Sequence, residues 1–168
     1  ITGNHPLLDQ AYSPMAIRFF MLQSHYSSTL DFSNDALKAA LKGYKRIANG
    51  IKLAKSLKFI PEEGVQTDPE QLKQLNQIIE KCYDAMNDDF NTAVAISYLF
   101  DLLKKINLIQ TGSLKHSQLG EEGFIKLLSA FNTFVEDILG IRVERIENSE
   151  YLINVILNQL FLLFFISQ

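Results

Sequence analysis

The sequence predicts an all-α fold: an antiparallel bundle of about five helices followed by an apolar C-terminal helix. Apolar residues recur at helical spacing in five successive segments, and helix-start signals precede several of them. Strand patterns are nearly absent, since the stretch 141–143 is too short to matter. With 168 residues, of which 47% are hydrophobic, the chain is long enough to bury a core of its own.

Local signals place each helix of the bundle. Ser13 followed by Pro14 predicts a helix start, because serine caps the free N–H groups and proline fits the first helical position. The same logic applies at Asp68 and Pro69, whereas Ser33 or Asn34 caps a long second helix and Asn91 caps a fourth. Predicted helices therefore run over about 14–25, 34–56, from 69, 92–108 and 121–139, with a polar connection over 110–120 and a stop at Gly140.

The chain divides into three predicted regions: 1–32 with the first helix, 33–146 forming the bundle, and a tail over 147–168. Thirteen of the sixteen residues from 151 to 166 are apolar. A helix of that length spans about 24 Å, less than the roughly 30 Å hydrocarbon core of a membrane. We therefore expect that the tail does not cross a membrane. We expect it instead to pack into the bundle, to pair with another copy or to aggregate. No methionine opens the sequence, so we expect a segment of a longer polypeptide.

Charge is distributed unevenly along the chain. Net charge is -3, yet residues 34–58 carry seven basic side chains against the single acid Asp35. Four of the lysines fall within an arc of about 80° on the side of the second helix opposite its apolar residues: Lys38, Lys42, Lys45 and Lys52. Such a face is either a solvated surface or a contact for a polyanion, and the scarcity of acids among the lysines favours the polyanion.

Other candidate residues have structural as well as functional interpretations. Arg18, the single charge in the first helix, either extends from a packed surface or pairs with a phosphate or carboxylate. Cys82 lies on an apolar stripe and is expected to be a buried structural thiol. Asp88 and Asp89 could be an acidic pair for metal binding or acid/base chemistry. We favour the alternative that their negative charge stabilises the positive dipole end at the start of the next helix. We expect no metal site and no catalytic residue, and the lone cysteine excludes an internal disulfide.

Three strings resemble one family. Tyr12–Leu22 is similar to the helix that follows the catalytic core of class I aminoacyl-tRNA synthetases. His25–Ser33 resembles the next segment of the cysteinyl-tRNA synthetases, with Ser27 where arginine is usual. Asp88–Thr92, followed by Ala95 and 99–101, resembles a second signature of that family. The resemblance covers most of residues 12–140.

The resemblance implies a C-terminal segment of the enzyme. It would comprise the end of the stem-contact region in 1–32 and a DALR-type anticodon-binding bundle in 33–146. The parent enzyme would ligate cysteine to tRNA(Cys) using ATP, with ATP and Zn²⁺ bound by an upstream catalytic domain of the same chain. This segment would be inactive alone and cytoplasmic, and would bind tRNA without a cofactor of its own. Its candidate contacts are Arg18, Lys38, Lys42, Lys45 and Lys52.

Two other functions are compatible with the residues. The bundle could be a structural spacer that holds a catalytic core at a fixed distance without touching RNA. It could also be an oligomerisation bundle, in which the apolar tail drives self-association. RNA binding is favoured over both.

Overall fold

A computed structural model of the chain describes residues 8–144. Within this range the backbone forms five α-helices and one π-helical turn, with no β-strand. They are α1 (Pro14–Leu22), α2 (Asn34–Ser56), α3 (Pro69–Asn87), α4 (Thr92–Gln110), α5 (His116–Asn132) and the π-helical turn Thr133–Ile138. The predicted all-α bundle is confirmed. The predicted apolar C-terminal helix lies outside the described residues.

Polar caps start the first four helices where the sequence predicts. The Ser13 hydroxyl accepts the backbone N–H three residues later at 3.2 Å, and the Asn91 side chain does the same at 3.2 Å. Ser33 and Asp68 cap α2 and α3 in the same way. The helix ends differ slightly from prediction: α1 stops at residue 22, three residues early, and α4 continues two residues beyond 108.

The core is closely packed where α2, α4 and α5 meet. A side chain at Gly50 would place its Cβ 2.5 Å from Leu103 Cδ1 and 3.0 Å from Phe131 Cζ, so glycine allows the three helices to approach. Every helix adds fully buried side chains to this core, among them Phe19, Ile47, Leu75, Leu99, Ile106 and Leu127.

Cys82 faces this core from α3. Its side chain has no exposed surface, which confirms the predicted buried thiol. Burial raises the pKa of the Cys82 thiol to about 12, because the charged thiolate is disfavoured away from water. The reactive thiolate form is therefore scarce at neutral pH.

The fifth helix begins earlier than predicted. Its first residue is His116, so the interpretation of 110–120 as a continuous polar connection is wrong. The carboxylate of Glu62, 54 residues earlier, accepts the backbone N–H of His116 at 3.1 Å and that of Ser117 at 2.8 Å. Gly120, with φ 64° and ψ 167°, then interrupts the helix after one turn. The regular sequence pattern consequently begins only after this break.

The same helix ends in a wider turn than predicted. Regular α-helix stops at Asn132, and the following six residues form the π-helical turn. Gly140 then takes a positive φ of 62°, which glycine adopts without the steric cost of a side chain. The predicted stop at Gly140 is confirmed, and residues 141–144 follow without regular secondary structure.

The remote cap on α5 gives a pH-dependent prediction. Glu62→Gln is expected to lower the free energy of unfolding at pH 7, because an uncharged amide accepts these N–H groups less strongly. The backbone N–H of Ser117 holds the pKa of Glu62 below its ordinary value of 4.5. The carboxylate's contribution is therefore present above that value and is lost as pH falls through the lowered folded-state pKa. Urea unfolding of wild type and E62Q at pH 7 and pH 3 measures both effects.

The neighbouring Glu63 is exposed and provides the matched control. E63Q should leave stability nearly unchanged at both pH values. A loss in E62Q that is the same at pH 3 as at pH 7 would contradict the assignment of the carboxylate as the cap.

Candidate nucleic-acid interface

The four candidate lysines all lie on the outer face of α2. Each of them is exposed, and the opposite face of the helix buries its apolar residues in the core. The amphipathic arrangement predicted from the sequence is therefore present. The ammonium groups of these lysines nevertheless differ in their surroundings. The four residues are Lys38, Lys42, Lys45 and Lys52.

Lys38 is engaged within the protein. Its Nζ lies 2.7 Å from Asp9 Oδ2, and this hydrogen bond is the main cause of a raised Lys38 pKa. Asp9 is itself held at the start of α2, because its backbone N–H donates to Asn34 Oδ1 at 3.0 Å. The expectation of an unneutralised row of lysines is thus wrong at Lys38. Asp35 is the one acid within α2, whereas Asp9 lies before α1 and reaches Lys38 only in the folded chain.

Lys45 and Lys52 line a common groove. It is an open depression of about 400 Å³ between α2 and two segments outside the helices, 11–13 and 143–144. No carboxylate of residues 8–144 forms an ion pair with either lysine or with the exposed Lys42. Glu144 lies at the groove, where its Oε1 accepts the backbone N–H of Met15 at 2.9 Å. This region therefore keeps free positive charge beside one carboxylate that caps α1.

Arg18 lies on α1 and is tied to the end of the bundle. Its Nε donates to the backbone carbonyl of Leu139 at 2.9 Å. The carboxylate partner considered from the sequence is absent from the part of the chain that is described. The side chain also borders a second open groove of about 470 Å³ along α1, whose other walls are mainly apolar.

Arg142 is a cation that sequence reasoning missed. It is exposed, and its backbone carbonyl accepts the Tyr44 hydroxyl at 2.9 Å, which fastens the segment 139–144 to α2. The same segment contacts α1 through the Leu139 carbonyl, which accepts Arg18 Nε. The available signal was a basic residue between two apolar ones, Ile141 and Val143.

The acidic pair lies elsewhere and has a structural partner. Asp89 Oδ2 accepts the Tyr26 hydroxyl at 2.5 Å and lies 3.9 Å from His25 Nε2. Asp88 ends α3, and the cap of α4 is Asn91. The favoured interpretation, a charge placed for the start of α4, therefore misses the contact that Asp89 makes with the loop after α1. Residues 8–144 contain neither a group of three metal-ligating side chains nor a helix long and apolar enough to span a membrane.

Comparison with known proteins identifies the chain's family. Residues 81–144 match the family described as the DALR domain. A cysteine–tRNA ligase of Cytophaga hutchinsonii is 48% identical over 157 residues, which are 94% of this chain and 31% of that relative. The chain belongs to the cysteine–tRNA ligase family.

The similarity to other cysteine–tRNA ligases supports this assignment. The ligase of Parabacteroides distasonis is 44% identical over 85% of this chain and 27% of its own length. That of Lachnoclostridium phytofermentans is 35% identical over 80% of this chain and 29% of its own length. The chain therefore spans less than a third of the cysteine–tRNA ligases it matches. The resemblance stated from the sequence is confirmed, and the DALR match covers α4, α5 and the segment that holds Arg18.

Proposed function

We propose that this chain is a tRNA-binding helical part of a cysteine–tRNA ligase, whose whole enzyme ligates cysteine to tRNA(Cys) using ATP in the cytoplasm. The observation that carries the proposal is membership of the cysteine–tRNA ligase family. The bundle would act together with the catalytic domain of the enzyme and position the tRNA. In this proposal ATP and Zn²⁺ are bound outside residues 8–144.

The exposed cations of α2 support a contact on this face of the bundle. Lys42, Lys45 and Lys52 follow one side of α2, and a phosphate backbone can lie along such a row. Lysine ammonium groups attract phosphates with little dependence on base sequence, and each contact releases counterions. A rigid bundle can thereby select the outline of a folded RNA while other parts of the enzyme distinguish its bases. Lys38 contributes less, because Asp9 already neutralises it.

The test compares two triple variants of equal charge. In Lys42→Gln/Lys45→Gln/Lys52→Gln the row is neutralised, and affinity for a folded tRNA(Cys) transcript should fall at least about tenfold. The slope of log affinity against log salt should become shallower by about two to three, since each lost phosphate contact removes roughly 0.7–0.9. Filter binding across a series of salt concentrations measures both quantities.

The control variant changes three lysines on other faces. Lys73, Lys115 and Lys126 are also exposed, and replacing them by glutamine gives the same net charge. Their salt slope should stay close to that of wild type. Equal effects of the two triple variants would mean that overall charge alone attracts the RNA. That result would contradict a specific RNA-binding face on α2. Wild-type protein that binds no tRNA at any salt concentration would instead favour the structural spacer.

A further inference from the structure

The guanidinium group of Arg18 contacts the backbone at two neighbouring residues, Leu139 and Gly140. One contact is the hydrogen bond from Nε to the Leu139 carbonyl at 2.9 Å. The other is at Gly140: a Cβ built there would lie 2.8 Å from Arg18 Nη2 and 3.3 Å from Cζ. The guanidinium therefore lies directly over the glycine backbone, in space that any side chain would occupy.

The outer nitrogens of Arg18 are left available. A guanidinium has five N–H donors, of which the contact with Leu139 uses the one on Nε. In the described part of the chain Nη1 and Nη2 make no hydrogen bond or ion pair, and the residue is exposed. Two parallel N–H groups at a fixed angle match two oxygens of a phosphate. Holding the group in place beforehand reduces the entropy lost on binding.

We infer that Gly140 is a positioning residue that holds the Arg18 guanidinium on the Leu139 carbonyl, so that Nη1 and Nη2 form a fixed fork for one phosphate group of bound RNA. This inference rests on the proposed function. Gly140 does not touch the RNA; it acts through Arg18. Its φ of 62° strains any residue that has a side chain, and the close approach of the guanidinium leaves no room for a Cβ.

A purely structural role is the competing explanation. Arg18 lies at the C-terminal end of the π-helical turn, where a positive charge stabilises free carbonyl groups. In that case variants of Arg18 and Gly140 would change stability and leave RNA affinity as it is. The experiment therefore measures affinity and salt dependence in variants that retain the positive charge.

The first variants are Gly140→Ala and Arg18→Lys in the full 168-residue chain, with a folded tRNA(Cys) transcript as the probe. Each should weaken binding about tenfold, the size expected for one charge-assisted hydrogen bond. Each variant loses at most one phosphate contact, so the salt slope should become shallower by no more than about 0.7–0.9, against two to three for the lysine triple variant. The double variant should bind no more weakly than either single variant, because both changes remove the same contact.

Gly112→Ala is the matched control for backbone strain. Gly112 has a φ of 73°, and a Cβ there would meet nothing within 4 Å. G112A should therefore lose stability in the same way as G140A and keep wild-type affinity. Thermal unfolding monitored by circular dichroism compares the two, and R18K tests the fork even if G140A folds poorly.

Each outcome separates the inference from the proposed function. Lysine-dependent binding that G140A and R18K leave unchanged overturns the fork and leaves the proposed function intact. The fork is also overturned if the affinity losses of G140A and R18K multiply in the double variant. An equal affinity loss in G112A overturns it as well. Wild-type protein without salt-dependent affinity for the transcript overturns the proposed function, and the fork with it.

Discussion

Phe131→Ala is expected to lower the free energy of unfolding by about 3–5 kcal/mol, the range for removing a fully buried phenylalanine. The ring has no exposed surface and lies where α5 meets α2 and α4, against Gly50. Its loss removes buried apolar area and leaves a cavity that the rigid helices fill only in part. Chemical denaturation followed by circular dichroism measures the change.

Ile125 provides the control on the same helix. Its side chain is 56% exposed, so Ile125→Ala should cost less than about 1 kcal/mol. Similar losses in I125A and F131A would mean that α5 contributes through its own helicity and that its packing against the core has little weight.

Gly50→Val is expected to cost about 1–3 kcal/mol by overpacking the same contact. Its Cβ alone would come within 2.5 Å of Leu103 Cδ1, so α2 and α4 must move apart or the leucine must leave its preferred rotamer. The same denaturation measurement applies. Gly64→Val is unsuitable as a control because of its positive φ, whereas the exposed helical Asn49→Val adds the same β-branched side chain to α2 without a core clash.

The two core changes should be coupled. In a Phe131→Ala background the valine at position 50 has room toward the vacated ring, so its cost should be smaller than in wild type. A double variant whose loss equals the sum of the two single losses would contradict the direct contact between these positions.

Local signals explain why the fold was predictable from the sequence. The caps at Ser13 and Asn91 act on N–H groups three residues away, so the information lies within one turn of chain. The apolar stripe of each helix is equally local, because helical geometry alone brings residues three and four apart to one face. The position of Cys82 on such a stripe was sufficient to predict its burial.

Contacts between distant residues explain what was missed. Lys38 is neutralised by Asp9, 29 residues earlier, and α5 begins where Glu62 provides acceptors 54 residues before it. Neither pairing leaves a periodic trace in the sequence. The extension of α5 and the loss of one free lysine from α2 are therefore properties of the folded chain.

The candidate interface was predicted in part. Helical spacing identified the lysines of α2, because a helix face can be derived from residue numbers alone. The same reasoning could not place Arg18 beside Gly140, since the turn that connects them depends on how the last helix ends. Arg142 also escaped prediction, because it lies outside the helices and belongs to no helical pattern.

The link between Arg18 and Leu139 also bears on how the protein is made. These residues are 121 positions apart, and Glu144 reaches back to Met15 over 129 positions. Synthesis at about 5–20 residues per second separates the appearance of the two linked residues by roughly 6–24 seconds. During that interval α1 has neither its carboxylate cap nor the carbonyl that holds its arginine. Until Leu139 and Glu144 emerge from the ribosome, the contacts that hold Arg18 and cap α1 across the bundle cannot form.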